Sequence, residues 1–113
     1  MIPSILMIEI EIYETNAGKR PFEKWLESID RQAQKRVLIA LGKLADGNTG
    51  SLKSVGNGVH EIKITFGPAY RIYLGKKGKR IVLLLCGGTK KRQNNDIIKA
   101  KELWQEYQKE NLH

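Results

Sequence analysis

The run "RIVLLLCGG" at residues 80–88 constrains the fold more than any other stretch. From Val82 to Cys86 no polar residue interrupts it, so a strand here sends apolar side chains in both directions. Such a strand belongs in the centre of a sheet that is covered on both faces. Cys86 is the only cysteine and reads as a small packing hydrophobe. With no second thiol there is neither a disulfide framework nor a zinc cluster. A chain of 113 residues is too short to divide into two cores, so residues 1–113 read as one domain.

The rest of the chain supplies the cover. "MIEIEIYE" alternates, with Ile8, Ile10 and Ile12 on one side and Glu9, Glu11 and Tyr13 on the other, a half-buried strand. The period then changes. Phe22, Trp25, Leu26 and Ile29 form one helical stripe behind Pro21, which suits a first helical turn. Asp30 can cap a second helix carrying Ala33, Val37, Leu41 and Leu44 up to the stop "DG", and a short loop folds the two into an antiparallel hairpin. "NTGSLKSVGNG" is turn-rich and reads as a loop. Three strands follow, "VHEIKITF", "AYRIYLGK" and "RIVLLLCGG", with "GPA" and "KGK" as hairpin connections. The final "NNDIIKAKELWQEYQKE" begins with capping residues and puts Ile97, Ala100, Trp104 and Tyr107 on one stripe. The expected class is α+β: an N-terminal strand, a helical hairpin, a three-stranded antiparallel meander and a C-terminal helix, packed as a small mixed sheet with helices.

Charge is distributed unevenly. Residues 63–92 hold nine of the twenty Lys and Arg and no carboxylate, whereas the remainder nets about −1, so the whole excess of +8 lies in thirty residues. A pI near 9.7 leaves polyanions as the default partners. "MIPSILMIEI" lacks a basic start and a cleavage site, so no signal peptide is expected. Met7 is an alternative start, and nothing reaches transmembrane length. The expected location is the cytoplasm, with no membrane partner.

Strand alternation assigns the side chains. Ile62, Ile64 and Phe66 share one side with His60, while Glu61, Lys63 and Thr65 face the other. Tyr70, Ile72 and Leu74 oppose Arg71 and Tyr73. Paired through "GPA", Glu61, Lys63, Arg71 and Tyr73 line one open face, and "GGTKKR" brings Lys90, Lys91 and Arg92 past the same end. Arg71 suits a phosphate and Lys63 adds a point charge beside it. Tyr73 suits stacking on a base. RNA carries its own nucleophile in the 2′-OH, so cleavage there needs a proton acceptor, cations around the phosphate and a proton donor. No metal or cofactor is expected, since His60 and His113 have no ligand cluster beside them. His60 falls on the apolar side, at the core or its rim. Trp25, Trp104 and Tyr107 read as packing residues. Lys76, Lys77 and Lys79 form a hairpin tip that is either solvated or a general anchor to ribosomal RNA.

The element order, with "VHEIKITFGPAYRIYL", "VLLLCGGTKK" and the "DIIKAKELW" helix, resembles the RelE/ParE toxin superfamily from Met7 onward, most closely its phage-derived HigB-like branch of addiction-module killer proteins. The resemblance implies a type II toxin neutralised by a cognate antitoxin, and a ribosome-dependent endonuclease of messenger RNA. It implies that Lys63 and Arg71 hold the scissile phosphate, with Lys90 or Lys91 on the phosphate or the leaving group. Glu61 departs from the basic residue of several relatives. It is either a general base of modest strength or the partner that organises the two cations. No match to the C-terminal Tyr or His of some relatives is found. Two other readings share the fold: a ParE-like inhibitor of DNA gyrase, and an inactive module that only binds antitoxin.

Overall fold

The computed structural model describes residues 7–111, so residues 1–6, ahead of the alternative start at Met7, and residues 112–113, with His113, lie outside it. In chain order the elements are β1 (Glu9–Ile12), α1 (Pro21–Ser28), α2 (Arg31–Ala45), β2 (Leu52–Gly56), β3 (Val59–Ile64), β4 (Tyr70–Lys77), β5 (Ile81–Thr89), a 3-10 turn (Lys90–Arg92) and α3 (Gln93–Glu110). The sheet is mixed, in the order β1-β5-β4-β3-β2, with β1 parallel to β5 and the other pairs antiparallel.

Local chemistry accounts for most boundaries. Pro21 opens α1. Asp30 caps α2, its Oδ1 accepting from the Ala33 N–H at 2.8 Å. The helix stops at Asp46 and Gly47, where φ is 93°. The segment expected to be a loop contains β2. Asn57 (φ 58°) and Gly58 (φ 83°) make the Asn-Gly turn that folds β2 onto β3. The strand escapes notice because "LKSV" carries little apolar alternation; the "NG" at its end was the available signal. The meander therefore has four strands.

The apolar run of β5 behaves as its composition requires. It is an interior strand between β1 and β4, although β4 holds the middle position. Val82 and Leu84 join the cluster under α1 and α2, whereas Leu83, Leu85 and Cys86 join the one under α3. A bulge between Leu84 and Cys86 places Leu85 and Cys86 on the same face, which a strict period of two does not allow. α1 packs on β5, α2 on β1 and β3, and α3 across β5, β4 and β3. Helices thus cover both faces of the sheet.

Candidate functional site

The register matches the alternation. Glu61 pairs with Tyr73 and Lys63 with Arg71, while β5 sets Gly88 beside Arg71 and Cys86 beside Tyr73. The face they share is nevertheless not open. Glu61 is 4%, Arg71 5% and Tyr73 0% exposed; Lys63 alone of the four reaches solvent. The cause is α3, which lies directly on the sheet because two glycines let it. Trp104 rests on Gly75, and the Asp96 carboxylate rests on Gly88; a Cβ at either glycine would overlap the side chain above it. Tyr73, expected to stack on a base, has its ring inside this packed layer instead.

The covered residues form a polar cluster. Arg71 Nε lies 3.6 Å from Glu61 Oε2, close enough for an ion pair and too far for a hydrogen bond. Its Nε and Nη1 are buried without hydrogen-bond partners, as are the Tyr73 hydroxyl and Asp96 Oδ2. Glu61 Oε2 accepts from Gln93 Nε2 at 2.9 Å, which ties the first turn of α3 to the site. Burial raises the Asp96 carboxyl pKa, against the lowering pull of Arg92 and Lys99. Burial also raises the Tyr73 phenol, with the Glu61 and Asp96 charges adding to it. Buried polar atoms are normally paired, so a guanidinium with two orphaned nitrogens is poised to donate to an incoming anion.

Around this cluster the cations divide. Lys90, Lys91 and Arg92 are exposed at the same end as Lys63, because the Lys90 N–H donates to the Ala69 carbonyl at 2.9 Å and so ties the 3-10 turn to the β3–β4 connection. Lys76, Lys77 and Lys79 belong to the opposite end of β4. Lys77 corrects the picture of a solvated tip: its Nζ is 2.7 Å from Glu11 Oε1 and 5.4 Å from the Tyr107 ring centroid. The hydrogen bond to Glu11 is the main reason its pKa rises. Lys76 and Lys79 are exposed. His60 sits at the core rim with a lowered pKa, from burial and from Lys76. Tyr107 is half-buried and stacks on Trp104 at 5.3 Å.

Sequence reasoning missed Gln93 and Asp96, reading the start of α3 only as a set of caps. No side chain caps that helix. Consecutive glycines inside a strand, here Gly87 and Gly88, mark a close approach and were the signal for it. Among the described residues no three His, Cys, Asp or Glu gather as a metal site, and no helix is long and apolar enough to cross a membrane.

The fold and site define a small α+β protein that holds a buried arginine–glutamate pair beneath a terminal helix, with cations at the rim. The family model of the phage-derived Gp49-like proteins (DUF891) matches residues 24–105. A protein of Haemophilus influenzae named only as uncharacterized is 40% identical over 86 residues, covering 75% of this chain and 87% of its own length. The chain belongs to the Gp49-like family, which is associated with addiction-module toxins of the HigB/RelE type.

Proposed function

We propose that this protein is the toxin of a type II toxin–antitoxin pair, of the HigB-like kind, and that it cleaves messenger RNA in the translating ribosome. The observation that carries the reading is Arg71, whose Nε and Nη1 have no hydrogen-bond partner beside Glu61, with Lys63 opposite it across the strands. In the proposed reaction the RNA 2′-oxygen attacks the adjacent phosphorus, and its proton passes to a base. The bond to the 5′-oxygen breaks, and that oxygen takes up a proton. The products are a 2′,3′-cyclic phosphate and a 5′-hydroxyl end. Arg71 and Lys63 stabilise the charge that builds on the phosphate oxygens. Lys90 or Lys91 serves the phosphate or the leaving group. Glu61 either takes the 2′ proton or holds Arg71 in place.

Arg71 and Glu61 are almost wholly covered, so a phosphate reaches them only when the first turn of α3 gives way. The same burial favours a second reading, in which the pair pins α3 to the sheet and the protein binds antitoxin without chemistry.

Mapping messenger 5′ ends in cells after induction, beside an Arg71→Ala variant, tests these readings. New ends inside translated codons, absent in the variant, are expected. Double-strand DNA breaks without new RNA ends would indicate a gyrase inhibitor. Absence of toxicity from either form would leave the binding module.

A further inference from the structure

A second basic site lies where the β1 ladder runs out. That ladder ends at Ile12 and Leu84, so β5 continues past its last partner on this side. Beside Cys86 and Gly87 a cavity of about 560 Å³ opens between α1 and α3. Lys19, Arg20, Lys24 and Lys99 line it, and no carboxylate does. Arg20 is occupied by Glu23 at 3.2 Å, but among the described residues Lys19, Lys24 and Lys99 make no ion pair. All four come from the portion of the chain that nets about −1, so the cluster is not an overflow of the basic run at 63–92.

The remaining wall is aromatic. Trp25 rests on Gly87, where a Cβ would overlap its ring, and Tyr70 braces it edge-on with centroids 6.2 Å apart. Three unpaired ammonium groups beside a braced indole suit a phosphate joined to a flat ring. The volume lies within the range of small-ligand sites, about 300–1,000 Å³. An acidic peptide would use the cations and leave the indole without a role.

We infer that this cavity is a subsite for one nucleotide of single-stranded RNA, with its phosphate among Lys19, Lys24 and Lys99 and its base against Trp25. The inference rests on the RNA reading above and adds the place where a flanking nucleotide is held. Gly87, under Trp25, and Gly88, which pairs with Arg71, are neighbours that face opposite sides of the sheet, so the subsite lies around the edge of β5 from the candidate cleavage site.

The test uses the full chain and a fluorescent heptaribonucleotide carrying 2′-O-methyl groups, which prevent cleavage, read by anisotropy at several salt concentrations. A Lys24→Ala, Lys99→Ala double variant changes only exposed side chains and should keep its fold. It is expected to bind about tenfold more weakly, with a salt slope reduced by about 0.7 for each phosphate that is no longer neutralised. Trp25→Leu should also cost about tenfold; Lys53→Ala, on β2, should bind like the native chain. Native-like affinity of the double variant overturns the inference and leaves the RNA reading standing. Failure of the native chain to bind the oligonucleotide overturns the inference alone, because the RNA reading is decided by the mapping of messenger ends in translating cells. A polyglutamate peptide that binds the native chain but not the double variant, while RNA binding stays equal in the two, also overturns it in favour of an acidic protein.

Discussion

Arg71 was legible as a candidate anion ligand from its residue type and its place opposite Lys63; its burial was not, because burial depends on what α3 does. Two expectations belong at this scale. Gln93→Ala removes the bond that holds the first turn of α3 on Glu61. It should lower stability by about 1 kcal/mol in urea unfolding, and under the proposed function it should not lower cleavage. A drop in cleavage at unchanged stability would show that Gln93 takes part in the chemistry. Asp96 has a raised pKa in the folded chain, so folding favours its neutral form. That contribution is fully present below the ordinary carboxyl value of 3.8 and is lost as the pH rises through the folded value. At pH 7 the ionised carboxylate therefore costs stability. Asp96→Asn should raise Tm there. Thermal melts should find the gain gone below about pH 3.8.

Helices announced themselves through their stripes, and α1 and α2 form where the period and caps place them. β2 did not, because its side chains are half-buried at most and its existence depends on pairing with β3. The position of α3 depends on glycines in other elements. Trp104 is 6% exposed and lies on Gly75 of β4, where no side chain fits beneath it. Gly75→Ala is expected to destabilise by about 1–3 kcal/mol through overpacking, with a change in near-UV circular dichroism as the indole shifts. Trp104→Leu introduced with it should recover part of that stability, and the double-mutant cycle measures how much. Additivity of the two changes would mean that Trp104 and Gly75 do not pack on one another as described.

At the scale of the molecule the nine-cation run does not act as one patch. Lys63, Arg71 and Lys90 to Arg92 gather at one end of the sheet, whereas Lys77 is spent on Glu11 at the other. Four cations from outside that run converge on the cavity beside Trp25. Cys86 reports on the whole fold, being 3% exposed with burial pushing its thiol pKa up to about 12. It should resist iodoacetamide in the native chain at pH 7.5 and react once urea unfolds it; rapid native alkylation would mean that the layer under α3 opens locally. The sequence alone determined the alternation of faces, the helical stripes and the need to cover β5 on both sides, because these follow from periodicity along the chain. It also determined which residues could share the Arg71 face, since strand parity is a local property. Only the tertiary structure decided that this face is roofed, that Gln93 and Asp96 belong to it, and that Lys19, Lys24 and Lys99 meet at Trp25. Those facts depend on where elements distant in sequence come to rest, and glycine vacancies, a bulge and the early end of β1 set that.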